Sequence, residues 1–278
     1  MGVETGEFQG HIDRDDEARI TTACLLAAGT GSRLRPLTES TPKCLTEIDG
    51  RPLLERLLDC LRDQGFERLL VVVGHLEHRI RSFLDDCAGD LVVEYVRNPL
   101  YRTTNNLYSL WLAGTALDES FLLIESDLLF DASSIEELLV PDRIAVSRML
   151  AWMNGTTIAM DRSGRVASFR AGRPGPTGKD EYKTVNICSL SRPTWRRVLR
   201  HLDRAVSDGR VNEYYEVVFA EMVADGELSF ECVLFDADRW YEVDKMSDLP
   251  GAERVAQRRC KPSMPALPLQ LNAKGGHA

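Results

Sequence analysis

The residues most suited to chemistry lie near the start of the chain. Cys24-Leu25-Leu26-Ala27-Ala28-Gly29-Thr30-Gly31-Ser32-Arg33 opens as an apolar run, breaks into small residues and glycine, and turns basic at Arg33 and Arg35, with Pro42-Lys43 following. This is how a buried strand empties into an anion-holding loop. Glycines let successive backbone N–H groups converge on one point, and Arg33, Arg35 and Lys43 bring charge that suits a polyphosphate. Two acids at strand ends answer that loop: Asp127 after Phe121-Leu122-Leu123-Ile124-Glu125-Ser126, and Asp244 in Trp240-Tyr241-Glu242-Val243-Asp244. Either acid alone reads equally well as a helix cap or a solvated loop charge. Beside a phosphate loop the pair suits a divalent cation, because Mg²⁺ takes one or two carboxylates plus phosphate oxygens and water.

Other readings of these residues fare worse. A dinucleotide fingerprint needs glycine where Leu34 stands, and no Gly-Lys-Ser/Thr follows to make a P-loop. The remaining alternative for the loop is a plain glycine-rich turn after a core strand. Asp236-Ala237-Asp238 has the D-x-D pattern of metal-dependent glycosyltransferases, but it follows an apolar strand in a polar stretch and reads as a turn. The cysteines, seven in all, are scattered with no C-x-x-C pair, and only His75 and His78 of the five histidines lie close together. That pattern points to free thiols and away from a zinc site.

The loop resembles the signature of the nucleotidyltransferase superfamily, which runs roughly L-A-A-G-x-G-[ST]-R with P-K about ten residues on. Further strings, Asn98-Pro99, Asn105-Asn106-Leu107-Tyr108-Ser109-Leu110, Tyr182-Lys183-Thr184-Val185-Asn186-Ile187, Asn212-Glu213-Tyr214-Tyr215-Glu216 and Tyr241-Glu242-Val243-Asp244, resemble the LicC-type phosphocholine and phosphonate cytidylyltransferase branch. The resemblance spans about residues 22 to 250. It implies transfer of CMP from CTP to a small phosphorylated or phosphonylated compound, with Mg²⁺ as cofactor. It further implies that Leu26, Ala27, Ala28, Gly29, Thr30, Gly31, Ser32 and Arg33 surround the triphosphate and that Lys43 stabilises the α-phosphate. Gly74, Asn105, Asn106 and Ser109 would border the cytidine, and Asp127 and Asp244 would hold the metal. Arg33, Lys43, Asp127 and Asp244 form the expected catalytic set. The acceptor is expected among Trp152, Tyr182, Lys183, Asn186, Glu213, Tyr214, Tyr215, Glu216 and Glu242, with Lys183 and Asn186 at its anionic end. Here Glu213-Tyr214-Tyr215-Glu216 departs from the tyrosine-tryptophan-aspartate string common in phosphocholine enzymes. Alternatives at this stage are a sugar-1-phosphate nucleotidyltransferase using UTP or dTTP, and a catalytically inactive nucleotide-sensing subunit.

The elements that must position these residues follow from periodicity. Pro52 to Gln64 carries apolar residues at helical spacing, with Gly65 beyond its end. Leu69 to Val73 is a continuous apolar run ending in Gly74-His75, as expected of a strand covered on both faces. A helix over Leu76 to Cys87, a strand over Leu91 to Val96, a helix from Asn105 and the strand at Phe121 continue the alternation. Such alternation predicts an α/β fold with a mostly parallel, Rossmann-like mixed sheet flanked by helices. Ligands then sit beyond the carboxyl ends of the strands. Short strands at Ile144–Met149, Thr156–Met160 and Arg165–Phe169, with turn chemistry at Asn154-Gly155 and Ser163-Gly164, suggest a small β-rich acceptor insertion over about 144–190, its loop at Gly172–Lys179. Helices are expected at Pro193–Val206 and Glu213–Ala224, and a strand at Leu228–Phe235.

With 278 residues the chain can hold one large domain. Residues 1–20 read as a mobile leader, 21–256 as the domain and 257–278 as a flexible tail. A net charge of −9 argues against nucleic-acid or membrane-surface partners, and the chain offers neither a secretory signal nor an apolar run of transmembrane length. The expected setting is cytoplasmic. Self-association as a homo-oligomer stays open.

Overall fold

The computed structural model describes residues 19–150, 153–170 and 181–259. Residues 1–18 of the expected leader, the tail beyond 259, Trp152 and the loop at Gly172–Lys179 lie outside them, whereas Ile20, placed at the end of that leader, is buried in the core and its N–H donates to the Leu139 carbonyl at 3.1 Å. Strand β1 (Thr22–Ala27) leads through the glycine loop and the short ribbon β2 (Glu47–Ile48) and β3 (Arg51–Pro52) into α1 (Leu53–Asp63). Then come β4 (Arg68–Val73), α2 (Glu77–Cys87), β5 (Val92–Arg97), α3 (Asn106–Ala113) and β6 (Phe121–Glu125). The second half has β7 (Leu128–Phe130), β8 (Arg143–Arg148), β9 (Thr157–Met160), β10 (Val166–Arg170), β11 (Glu181–Leu190), α4 (Arg192–Ser207), α5 (Tyr215–Ala224), β12 (Glu231–Phe235), β13 (Trp240–Glu242) and α6 (Leu249–Arg259).

One nine-stranded mixed sheet runs through the molecule. Its parallel part is β5-β4-β1-β6, and the long strand β11 then joins β6 antiparallel. Strand β11 also pairs antiparallel with β8 and with β9, and β12 lies parallel to β8. The expected β-rich insertion is therefore continuous with the main sheet. Strands β9 and β10 form a hairpin through Ser163-Gly164. Strands β8 and β9 flank β11, so Asn154-Gly155 connects two strands that are not partners.

Alternation along the central strands supplies both faces of the core. Ala23, Leu25 and Ala27 of β1 face α1 and α2, while Cys24 and Leu26 face α3, α4 and α5. Leu69, Val71 and Val73 of β4 repeat the first pattern, and Leu70 and Val72 the second. Fully burying each leucine or valine among them contributes about 1.5–3 kcal/mol before conformational entropy is subtracted. The second face is completed by Trp195, whose indole N–H donates to the Leu117 carbonyl at 3.0 Å and whose ring meets Phe121 edge-on.

A third, smaller cluster matters more for function. Leu34 of the glycine loop, Leu53 at the start of α1, Leu129 of β7, Val243, and Ala252, Val255 and Ala256 of α6 pack together. Helix α6 thus runs to Arg259, three residues past the expected boundary at 256, and it buttresses the loop from outside the sheet.

Candidate active site

The glycine loop begins where β1 ends. Gly31 sits at φ 59°, in the left-handed region that favours glycine, and a Cβ there would come 2.9 Å from Thr38 Cγ2. Thr38 closes the loop by donating its hydroxyl to the Gly31 carbonyl at 2.8 Å. At Gly29 a Cβ would meet no protein atom, so that side of the backbone faces open space. Gly74 supports the loop from behind: a Cβ there would fall 2.8 Å from the Ala28 carbonyl and 2.7 Å from Tyr101 Cβ, and the neighbouring His75 N–H donates to that same carbonyl at 3.0 Å.

Opposite the loop, the antiparallel ribbon of β7 and β13 brings the two strand-end acids together. Glu242 pairs with Leu128, and the Val243 N–H donates to the Asp127 carbonyl at 3.0 Å. Carboxylate oxygens of Asp127, Glu242 and Asp244 consequently lie within 4.8 Å of one another. Glu242, expected at the acceptor, is the third member of the acidic triad. The Lys43 ammonium donates to Asp127 Oδ2 at 2.5 Å and to Asp244 Oδ1 at 2.7 Å, and Arg33 reaches Asp244 Oδ1 at 2.9 Å. Asp127 and Asp244 are each only 6 % exposed, so they form the floor of the site.

Electrostatics follow from that burial. Burial alone would depress the Lys43 ammonium, but the charges and hydrogen bonds of Asp127 and Asp244 outweigh it and raise its pKa. Asp244 pays a desolvation penalty that Lys43 and Arg33 more than offset, which holds its carboxyl below the usual range. Glu242 goes the other way: burial pushes it up to about 7, Lys183 opposing and Asp127 and Asp244 reinforcing the shift. Glu125 and Glu216 are raised as well, each chiefly by burial. The triad fits a hard divalent cation: it is an all-oxygen donor set, and Asp127 Oδ1 is buried with no hydrogen-bond partner.

Loop and triad open onto one cavity of about 750 Å³. Of the residues the sequence singled out, Leu26, Ala28, Gly29, Thr30, Gly31, Ser32, Arg33, Lys43, Asn105, Asn106, Ser109, Asp127, Lys183, Asn186, Tyr214, Glu216, Glu242 and Asp244 line it. Ala27 turns to the opposite face of the sheet, and Gly74 stays behind the loop. Tyr215 is 3 % exposed and packs on Phe219, Tyr182 lies against the same core, and Glu213 pairs with Arg210. These three do not reach the cavity. Adjacent residues at the start of α5 point in different directions, so Tyr214 could face out only with Tyr215 turned in. Asn106 spends its amide on the frame, donating to Glu125 Oε1 at 2.9 Å and accepting from the Tyr215 N–H at 3.0 Å.

Two features of the floor escaped the sequence reading. Glu125 lines the cavity beside Asn106, and a signal for it existed, since Glu125-Ser126-Asp127 and Glu242-Val243-Asp244 repeat one E-x-D spacing. Asn186 adopts φ 61° where the register of β11 against β8 shifts. That left-handed residue inside a strand costs conformational energy, a feature typical of sites held by their surroundings. Asn186 accepts from the Thr184 hydroxyl at 2.9 Å and donates to Glu242 Oε1 at 3.3 Å, while Lys183 holds Glu242 Oε2 at 3.2 Å.

A strand that empties into a phosphate loop, facing buried carboxylates across one cavity, defines a nucleotidyltransferase, and residues 23–149 match the MobA-like NTP transferase domain. That stretch carries the domain. Its relatives point to cytidylyl transfer more particularly. It is 31 % identical over 265 residues to a CMP-5'-(3-aminopropyl)phosphonate synthase of Streptomyces rubellomurinus, matching 92 % of this chain but 41 % of that protein. With a 2-aminoethylphosphonate cytidylyltransferase of Lancefieldella rimae it shares 28 % identity, over 85 % of this chain and 93 % of that one. A choline-phosphate cytidylyltransferase of Streptococcus pneumoniae is 26 % identical over 84 % of this chain and 97 % of its own length. The solved CTP:phosphocholine cytidylyltransferase from that organism superposes with a TM-score of 0.72 at 23 % identity, covering 86 % of this chain and all of that one, a likeness of fold.

Proposed function

We propose that this protein transfers CMP from CTP to a small phosphorylated or phosphonylated acceptor and releases diphosphate. The observation that carries the reading is the meeting, in one cavity, of the glycine loop, Arg33 and Lys43 with the triad Asp127, Glu242 and Asp244. The names of the relatives supply the nucleotide and the acceptor class.

An oxygen of the acceptor's phosphoryl or phosphonyl group attacks the α-phosphorus of CTP as the bond to the β-phosphate oxygen breaks. That oxygen is already anionic, so no protein base is needed, and the chain's contribution is alignment and charge neutralisation. Backbone N–H groups between Ala28 and Gly31, with Arg33, hold the triphosphate. Lys43 neutralises charge at the α-phosphate, and Lys183 sits at the acceptor end. Asp127, Glu242 and Asp244 would hold Mg²⁺, which supplies further neutralisation of the phosphates when bound.

Diphosphate release measured side by side with CTP, UTP, dTTP and ATP tests this, each nucleotide offered with phosphonate, phosphocholine and hexose-1-phosphate acceptors. The expected result is turnover with CTP and the phosphonate or phosphocholine arms. Preference for UTP or dTTP with hexose phosphates would replace the reading with sugar activation, and no release in any arm would favour a nucleotide-sensing role.

A further inference from the structure

One residue behind the site holds both ends of the glycine loop. The loop leaves β1 at Ala28 and is tied back at Thr38, and His75 meets the main chain at each point. Its backbone N–H donates to the Ala28 carbonyl at 3.0 Å, and its ring Nε2 lies 3.0 Å from the Thr38 carbonyl. A carbonyl oxygen only accepts, so Nε2 carries the proton and donates. Thr38, 1 % exposed, passes the restraint on through its hydroxyl, which donates to the Gly31 carbonyl at 2.8 Å. His75 is itself firmly mounted. It lies between the end of β4 and the first turn of α2, Leu76 turns the chain there with φ 50°, and the Tyr101 ring packs beside the imidazole with centroids 6.0 Å apart. Between its two ends the loop is pinned by Leu34, in the small cluster under α6. Among the described residues, the N–H groups of Gly29, Thr30 and Gly31 reach no backbone carbonyl, so their aim depends on these outer restraints.

We infer, building on the cytidylyl-transfer reading, that His75 is a positioning residue for the triphosphate: it clamps the two ends of the glycine loop so that the N–H groups between Ala28 and Gly31 stay converged on the nucleotide. His75 is not among the residues that line the cavity, so it acts through the loop and not on the reacting atoms. Its two bonds can be separated by substitution. The one to Ala28 is made by the main chain and survives a change of side chain, whereas the one to Thr38 needs a donor at the reach of Nε2. Asparagine places its amide nitrogen where Nδ1 stands and falls short; glutamine places its amide nitrogen where Nε2 stands. Removing that donor leaves the carbonyl of a buried residue unmatched, a cost the chain relieves by letting the loop end move. A space-filling role would instead follow side-chain size, and would not distinguish a donor that reaches Thr38 from one that does not.

The test compares His75→Asn with His75→Gln, by steady-state kinetics with CTP and 2-aminoethylphosphonate and by calorimetric titration of CTP without acceptor. His75→Asn should raise the KM and the dissociation constant of CTP by about five- to a hundredfold, the scale of one unmatched hydrogen-bonding group, and leave the acceptor's KM within about twofold. His75→Gln should bring CTP binding back to within about threefold of the unaltered protein. In a second arm, Thr38→Val removes the hydroxyl that holds Gly31 and keeps the branched shape. It should weaken CTP in the same way, and the double variant His75→Asn/Thr38→Val should lose less than the product of the single losses, because both act through one end of the loop. Equal CTP binding by all variants, equal losses in the Asn and Gln forms, or fully multiplicative losses in the double variant would overturn the clamp while leaving cytidylyl transfer intact. If the unaltered protein binds no CTP and releases no diphosphate, the reading on which the clamp rests falls instead.

Discussion

At the scale of single residues, Lys43 is the side chain whose observed position says most. Its ammonium lies between Asp127 and Asp244, where it stands in for part of the positive charge that a metal–nucleotide complex would bring. Two roles therefore compete for one lysine, and a single substitution separates them. Lys43→Ala should lower kcat by about 10² to 10³ with a smaller effect on CTP binding, as expected when a charge acts mainly on the transition state. In the absence of nucleotide the same variant should bind a divalent cation more tightly, read by the electron paramagnetic resonance of Mn²⁺, because the ammonium no longer neutralises the triad. Near-normal turnover would remove Lys43 from the reaction, and unchanged Mn²⁺ affinity would show that it does not guard the carboxylates.

At the scale of elements, the site depends on parts that never touch a ligand. The resemblance placed Gly74 beside the cytidine, whereas it is the backstop that lets β4, the Ala28 carbonyl and Tyr101 approach closely. Gly74→Ala forces one of these apart. The expected cost is about 1–3 kcal/mol of stability, the range for overpacking a tight site, together with a raised KM for CTP as the loop shifts. Urea unfolding and steady-state kinetics on the same variant check it; a change in KM with no loss of stability would return Gly74 to the nucleotide's own surroundings. Much of this layer was legible in the chain, because a phosphate loop and a parallel sheet write themselves in glycines and unbroken apolar runs. The floor was less so. Strand β11 is central yet carries Lys183, Thr184 and Asn186, whose polarity reads as an edge or insertion until the pairing with β6 is known. Which of Tyr214 and Tyr215 faces the cavity likewise depends on where α5 begins, and the sequence placed that start two residues early.

At the scale of the whole molecule, a chain of net charge −9 gathers five carboxylates, Glu125, Asp127, Glu216, Glu242 and Asp244, around a single cavity. That concentration should make stability depend on pH and on divalent cation in a linked way. Glu242 moves from its ordinary 4.5 to about 7 on folding, so between those values the folded chain keeps a proton that the unfolded chain has lost. Stability from this group is fully present below about 4.5 and is lost as pH rises through about 7. Glu125 and Glu216 are raised too and act with the same sign. Asp244, held low by Lys43 and Arg33, contributes the opposite slope, but only below its ordinary 3.8. The expected outcome, in chelator, is a melting temperature that declines from pH 5 to pH 7.5. Glu242→Gln should flatten that decline, while Glu253→Gln, which removes the same charge from an exposed position on α6, should leave it. Mg²⁺ should restore more at pH 7.5 than at pH 5, because a cation bound to ionised carboxylates competes with protons for them. A melting temperature that is flat or rises over this interval, or an Mg²⁺ effect independent of pH, would mean that the floor of the cavity is already balanced without substrate, and the case for a cation-completed site would fall with it.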